Sequence, residues 1–194
     1  MFFFVGVVNA RLVDFESYSL GEVIDQDYWE GPTGVATVVD ISTSPITPIL
    51  SGSKSLLLGS SYVTRQVRFD VNDSTELSFL LTLDSPGASN QNYVMHLKVQ
   101  PEGFSTYSVC YFALQGQDST GGELQVIDES GSQYTGYTYL NTDVLAFRIV
   151  FDFVNGTLEM FVSKNGGAEQ SVGTYTFIEG GGNPISTDFK EIAI

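Results

Sequence analysis

The acidic side chains between residues 123 and 129 are the first candidates for chemistry. Two carboxyl groups about 5 Å apart form the catalytic pair of retaining glycosidases. On a β-strand such a pair needs an even spacing, because successive side chains point to opposite faces. Asp128 and Glu129 are adjacent, and Glu123 precedes Asp128 by an odd number of positions. Neither of these two pairs therefore shares a strand face, and we expect no catalytic residue in the chain.

The single histidine and the single cysteine limit other kinds of chemistry. His96 and Cys110 are too few for a transition-metal site, which takes three or four such ligands. The sequence also lacks the Gly-x-Ser-x-Gly elbow, the P-loop and the dinucleotide-binding glycine pattern. We expect Cys110, which lies in an apolar run, to be a small buried thiol. We expect His96 to be an ordinary strand residue.

Aromatic residues are the better candidates for binding. Trp29 is the only tryptophan, and Tyr134, Tyr137 and Tyr139 lie close together. In an extended segment Tyr137 and Tyr139 fall on one face, with Thr138 opposite. Such rings stack on a pyranose or pack at a protein interface. We take these four aromatic residues as candidate ligand-binding residues; in the alternative, Trp29 fills a core and the tyrosines cover a sheet surface.

The net charge and the N-terminus indicate which partners to expect. The chain has 8 Lys+Arg against 23 Asp+Glu, a net charge of −15, so it repels nucleic acid and anionic membranes. Residues 1–10 are apolar but lack a basic region and are too short to cross a bilayer, which takes about 20 residues. We expect no nucleic-acid partner and no membrane insertion. Exposed Phe2, Phe3 and Phe4 would need a covering partner, so they are the candidate interface with other copies or other structural proteins.

Short extended segments with period-2 alternation dominate the chain, and no amphipathic helix is evident. The predicted strands are Leu12–Glu16, Val35–Ile41, Lys54–Leu58, Tyr62–Phe69, Glu76–Leu83, Tyr93–Val99, Thr106–Leu114, Glu123–Asp128, Val144–Val154, Thr157–Ser163, Gly173–Ile178 and Phe189–Ile194. We expect one all-β domain over residues 1–194, with residues 1–10 as an anchoring arm or a strand.

The segment from residue 144 to residue 171 has the sharpest local pattern. Phe147, Ile149, Phe151 and Phe153 share one face of a strand, as in a half-buried antiparallel strand over a core. An Asn-Gly pair follows at residues 155–156 and another at residues 165–166. Asn-Gly between strands favours a type I′ hairpin with positive φ at both central residues. We therefore predict a meander of short antiparallel strands from Asp152 to Ser171.

Several segments carry a family resemblance. They are Val13–Tyr18 with Gly21 and Trp29, Ser51–Leu58, Phe147–Val162 and Thr187–Ile194. Together they resemble the concanavalin-A-like and laminin-G-like jelly rolls, whose sandwich is shared by carbohydrate-binding modules. The resemblance implies an all-β fold with two antiparallel sheets packed as a jelly-roll β-sandwich. In related modules a structural calcium ties an acid of the first strand to one near the last strand, which implies calcium at Glu16 and Asp188. Without calcium these two residues are ordinary strand-end acids.

Three functions are compatible with these observations. The first is a non-catalytic surface or structural module of a multi-copy assembly, most typically a phage capsid decoration or fibre protein, with adhesion to glycans. This protein would lie on the virion surface or be extracellular. The second is a stand-alone carbohydrate-binding module or lectin. The third is a glycosidase or polysaccharide lyase of the same fold, which the parity of the acids disfavours. We expect the first.

Overall fold

The computed structural model shows an all-β protein. It describes residues 15–24, 26, 29–31, 33–34, 36–40, 42, 53–58, 64–65, 75–82, 92–99, 107–117, 120–152, 154–178 and 192–193. The strands are β1 (Gly21–Glu22), β2 (Trp29–Glu30), β3 (Ala36–Asp40), β4 (Lys54–Leu58), β5 (Thr64–Arg65), β6 (Thr75–Thr82), β7 (Asn92–Val99), β8 (Tyr107–Gly116), β9 (Gly121–Asp128), β10 (Gly131–Leu140), β11 (Val144–Asp152), β12 (Thr157–Lys164), β13 (Gln170–Thr176) and β14 (Ile192–Ala193). The described residues form no helix, and among them none forms a helix long and apolar enough to cross a membrane.

Two four-stranded sheets make up most of the described structure. The first has the strand order β10-β9-β8-β7, and the second has the order β13-β12-β11-β6. Two smaller sheets have the orders β1-β3-β4 and β14-β5-β2. All of these strand pairs are antiparallel.

The alternation of buried and outward-facing side chains along β11 shows which face of the second four-stranded sheet lies against the core. Phe147, Ile149 and Phe151 are buried, and Arg148 and Asp152 face outward, as predicted. Phe153 lies outside the described residues. The pairing of β11 with β12 runs without interruption from Leu145↔Lys164 to Asp152↔Thr157. One face of this sheet is thus continuously apolar, and it needs a second layer to cover it.

The first four-stranded sheet supplies that layer. Phe112 of β8 stacks on Phe147 of β11 with ring centroids 5.4 Å apart, and on Phe79 of β6 at 6.0 Å. One cluster joins both sheets, with buried residues Phe112, Leu114, Leu124, Val126, Tyr139, Leu145, Phe147, Ile149, Phe151, Leu158, Met160, Val162, Tyr175 and Phe177. Two sheets that close over one apolar layer are consistent with a β-sandwich.

A second, smaller core lies in the N-terminal part of the described chain. It contains Tyr18, Val23, Trp29, Ala36 and Val38. Val38 of β3 is paired with Gly21 of β1 and with Leu56 of β4, so the β1-β3-β4 sheet forms one side of this core.

The two Asn-Gly turns differ from each other. At Asn165 and Gly166 the φ angles are 53° and 72°, and the Gly167 amide donates to the Lys164 carbonyl at 2.8 Å, so the type I′ prediction is confirmed. At the earlier turn φ is positive at Gly156 (63°) but not at Asn155, so the prediction for Asn155 is wrong.

The carboxylate of Asp152 explains the earlier turn. It accepts bonds from the Asn155 amide nitrogen of the backbone (3.0 Å) and of the side chain (2.6 Å). Asp152 pairs with Thr157, so the loop has four residues rather than two. The side-chain bond and then the backbone bond from Asn155 hold the pKa of Asp152 below its ordinary value.

Several strand predictions are confirmed and two need correction. The segments at 54–58, 75–82, 92–99, 144–152 and 157–164 are strands close to the predicted bounds. Phe15 and Glu16 lie in a turn and not at the end of a strand, with φ of 60° at Phe15. The long strand β10 was not among the predicted strands, because Gly131 and Gly136 interrupt its pattern. Of the strands predicted at 62–69 and 189–194, the structure describes only β5 and β14, and both are strands. The other residues of these two segments lie outside the described residues.

Candidate functional site

A buried carboxylate shapes the hairpin that carries β10. Asp128 ends β9 with a side chain only 7% exposed. One of its oxygens accepts bonds from the Ser130 backbone amide at 2.8 Å and from the Gln133 side-chain amide at 2.9 Å. A buried charge requires such donors. Gly131 follows with φ of 99°, a conformation that favours glycine. Asp128 is therefore a structural acid that fixes the start of β10.

The middle of β10 contains a pronounced bulge. Tyr134 pairs with Gln125 and Thr138 pairs with Glu123, so four steps along β10 match two along β9. The Thr135 hydroxyl donates to the Leu124 carbonyl at 2.8 Å, and the Gly136 amide donates to a Glu123 carboxylate oxygen at 2.7 Å. Side chains thus replace the ladder bonds that the extra residues interrupt. Bulges of this kind redirect side chains, often beside functional sites.

Alternation along β10 places the three candidate tyrosines on two faces, because position 134 differs by an odd number from positions 137 and 139. Tyr134, just before the bulge, is 61% exposed on the outer face of the sheet. Tyr137 is half-buried and packs against the main core, and Tyr139 is 3% exposed within that core. A buried ring has no face for stacking on a ligand, so we keep Tyr134 and remove Tyr139 from the ligand-binding set.

Tyr137 is held at the edge between the two sheets. Lys164 of β12 donates to the Thr138 carbonyl at 2.9 Å, and its ammonium lies 5.3 Å from the centroid of the Tyr137 ring. Burial, and to a smaller extent the negative charge of Asp143, raises the pKa of the Tyr137 hydroxyl. Tyr137 thus connects the sheets, and its ring is already used by Lys164.

Polar side chains surround Tyr134 on the outer face. Gln125 is its cross-strand partner and donates to the Ser132 hydroxyl at 2.5 Å. Glu123 lies two positions before Gln125 on the same face, and its second oxygen accepts a bond from the Gln117 side-chain amide at 3.3 Å. We call this surface the Tyr134 face; its members are Gln117, Glu123, Gln125, Ser132, Tyr134 and Thr138. An exposed ring beside amide and carboxylate groups can bind a molecule that has an apolar side and hydroxyl groups.

On the outer face of the first four-stranded sheet, side chains become more exposed from β8 in the middle to β10 at the edge. Ala113 of β8 is buried although it is next to two core residues and so lies on the outer side. Its partner Gln125 in β9 is half-buried, and Tyr134 in β10 is well exposed. The Tyr134 face is thus limited to the β10 edge and does not extend over the whole outer surface of the sheet.

Trp29 lies elsewhere, in the small N-terminal core. It is 4% exposed, and its ring centroid is 6.1 Å from that of Phe15. This position agrees with the alternative prediction, in which Trp29 fills a core. Trp29 is therefore not part of the Tyr134 face.

The outer face of the second sheet is organised around Arg148. Its guanidinium binds the Glu169 carboxylate at 2.5 and 2.9 Å and reaches Glu76 at 3.5 Å. The same group lies 3.9 Å from the centroid of the Phe161 ring. Hydrogen bonding by Arg148, together with its positive charge, holds the pKa of Glu169 below its ordinary value. On this face the aromatic ring is therefore covered by a cation.

The predicted calcium site is described only in part. Both carboxylate oxygens of Glu16 accept bonds from Ser53, one from its backbone amide at 2.7 Å and one from its hydroxyl. Asp188 lies outside the described residues, as do Phe2, Phe3 and Phe4. Within the described ranges, no group of three or more His, Cys, Asp or Glu residues is arranged to hold a metal ion.

His96 and Cys110 are not cross-strand partners. The register of β7 and β8 pairs His96 with Tyr111 and Cys110 with Leu97. Glu123 and Asp128 likewise do not converge, since Glu123 supports the bulge on the outer face and Asp128 closes the hairpin.

The polar members of the Tyr134 face were not among the ligand-binding residues predicted from the sequence. Glu123 and Gln125 alternate with the core residues Leu124 and Val126, so the period-2 pattern contained the signal that they face outward. Their approach to Tyr134 depends on the pairing of β9 with β10, which the pattern of one strand does not reveal.

Comparison with models of known protein families gives no match, and no curated protein matches the chain.

Proposed function

We propose that this protein is a non-catalytic jelly-roll module that binds glycans through the Tyr134 face. The observation that carries the proposal is the 61% exposed ring of Tyr134, held on a sheet edge beside Gln125 and Glu123. A pyranose has an apolar face that packs on an aromatic ring and hydroxyl groups that bond to amides and carboxylates. Two hydrogen-bonded positions, at Asp128 and at the bulge, fix the strand that presents this ring. Binding would therefore require little ordering of the protein.

Replacement of Tyr134 tests the proposal directly. Isothermal titration calorimetry against a panel of oligosaccharides would identify a binder, and Tyr134→Ala would then be measured against it. We expect the affinity to fall by about 3- to 10-fold, since an aromatic contact contributes about 0.5–1.5 kcal/mol. Tyr134→Phe should fall between the wild type and Tyr134→Ala.

Leu80→Ala is the matched control. Leu80 is also an exposed apolar residue, but it lies on the second sheet, so its replacement should leave the affinity unchanged. A panel without any binder, or equal losses for Tyr134→Ala and Leu80→Ala, would refute a glycan site at Tyr134.

Display of the module in many copies on a virion or another extracellular assembly is a further part of the proposal. Its support is in the sequence: the apolar Phe2, Phe3 and Phe4 together with a net charge of −15. Analytical ultracentrifugation of the whole chain should show self-association that Phe2→Ser, Phe3→Ser and Phe4→Ser remove together. A monomer at all concentrations would contradict assembly through these residues.

The calcium proposal depends on Glu16 and Asp188. Calcium bound only by the folded chain would raise its melting temperature. EDTA should then lower the melting temperature of the protein, and an unchanged value would exclude a stabilising calcium.

A further inference from the structure

We infer that the glycan bound at the Tyr134 face is uncharged, and that the face excludes uronates, sulfated sugars and other anionic glycans. This inference rests on the proposed function and specifies its ligand class. It follows from the charges that the fold places around Tyr134.

The strands that form the face contain no cation. The sequences of β8, β9 and β10 include neither lysine nor arginine. They do include Glu123, whose carboxylate lies on the same face as Tyr134 and Gln125. An anionic sugar stacked on Tyr134 would therefore approach a like charge with no basic group from these strands to compensate for it.

The cation that reaches β10 from the other sheet is already engaged. The Lys164 ammonium is bound to the Thr138 carbonyl at 2.9 Å and lies over the Tyr137 ring. Tyr137 packs against the main core and lies on the face of β10 opposite Tyr134, so the ammonium over its ring is not part of the Tyr134 face. The net charge of −15 adds long-range repulsion of anions.

Glu123 does not make the face a site for cationic sugars. One of its oxygens holds the Gly136 amide of the bulge, and the other binds Gln117. An ion pair between a glucosamine ammonium and this carboxylate would lie in solvent, where such pairs contribute little to affinity. The remaining acceptor capacity of Glu123, together with the Gln125 and Gln117 amides, suits hydroxyl groups, which donate and accept.

The test compares hexasaccharides that differ in charge. Calorimetry would use uncharged hexamers of glucose, xylose and mannose, anionic hexamers of galacturonate and guluronate, and a cationic hexamer of glucosamine. We expect an uncharged hexamer to bind and the anionic hexamers to bind at least about fivefold more weakly. Affinity for the uncharged ligand should change by less than about twofold between low and high salt, because no ion pair is screened.

The outcomes separate the inference from the proposed function. If an anionic or cationic hexamer binds more tightly than every uncharged one, and Tyr134→Ala weakens that binding, the ligand class is wrong and glycan binding stands. If no hexamer binds, both fail. A large loss of affinity for the uncharged ligand in high salt would also overturn the inference.

Discussion

The two four-stranded sheets share one core, but their outer faces are built differently. On the second sheet β11 and β12 pair without interruption, and Arg148 covers Phe161 while it binds Glu169 and Glu76. On the first sheet the pairing of β9 with β10 is interrupted by the bulge, and Tyr134 is left open to solvent. An aromatic residue on an outer face can therefore stabilise the protein when a cation covers it, or offer a binding surface when its polar neighbours bond to one another.

The close approach of strands in the first sheet predicts the largest effect. An alanine Cβ at position 122 would lie 1.9 Å from the Gln115 carbonyl oxygen, so the backbone would have to move. We expect Gly122→Ala to lower the free energy of unfolding by about 3 kcal/mol or more, measured by urea denaturation.

Gly136→Ala is the control in the same sheet. A Cβ there meets no atom within 4 Å, but φ is 76°, so the expected cost is about 1–2 kcal/mol. Equal stability of Gly122→Ala and the wild type would show that the sheet is less tightly packed at this point than the structure indicates.

The Asn165 turn predicts an intermediate effect at the junction of the two sheets. Its side-chain amide donates to Asp143, which is 7% exposed, at 2.7 Å, and its oxygen accepts from the Val144 amide at 2.9 Å. Asn165→Ala would leave a buried carboxylate oxygen without this donor and place alanine at positive φ. We expect a loss of about 2 kcal/mol in denaturant unfolding.

The other Asn-Gly turn supplies the comparison. Asn155→Ala removes only the side-chain bond to the exposed Asp152, because the backbone amide remains, and it should cost about 0.5 kcal/mol. A larger loss for Asn155→Ala than for Asn165→Ala would contradict the role assigned to the Asn165–Asp143 bond.

The ion pairs of Arg148 predict the smallest effect, because the groups are partly exposed. Arg148→Met should lower stability by about 1 kcal/mol at most, and less in high salt. The pKa of Glu169 is depressed in the folded state. Its contribution is therefore present above its unfolded pKa of about 4.3 and is lost as the pH falls through the lower folded value.

Unfolding of both proteins as a function of pH checks this last prediction. The difference in stability between the wild type and Arg148→Met should be constant near neutral pH and disappear in acid. If the difference in stability persisted at pH values where the carboxyl groups are protonated, the packing of Arg148 on Phe161 would account for it instead of the ion pairs.

The strands and turns with regular local patterns were predictable from the sequence. The alternation of residues 147–151 matched the buried face of β11, and the Asn165–Gly166 turn had the predicted positive φ angles. The Asn155 turn did not, because the Asp152 side chain bonds to it and closes a longer loop. Strand β10 was not predicted, because Gly131 and Gly136 interrupt the apolar alternation in the sequence on which strand prediction depends.

The candidate site was predictable only in part. Tyr134 was among the predicted ligand-binding residues, but the same prediction included Tyr137, Tyr139 and Trp29. Ring chemistry is identical among the three tyrosines, and their exposure depends on which face of β10 the second sheet covers. Position 134 differs by an odd number from positions 137 and 139, so Tyr134 points outward, while Tyr137 and Tyr139 face the core.

The sequence by itself determined the all-β class, several of the strands and turns and the acidic charge, because period-2 alternation, Asn-Gly pairs and charge counts act locally or additively. The tertiary structure decided which aromatic ring meets solvent and which polar groups surround it. That outcome depends on which face of β10 the second sheet covers. It also depends on hydrogen bonds between separate strands, from the Gly136 amide to Glu123 and from Lys164 to Thr138, which form only when the sheets are assembled.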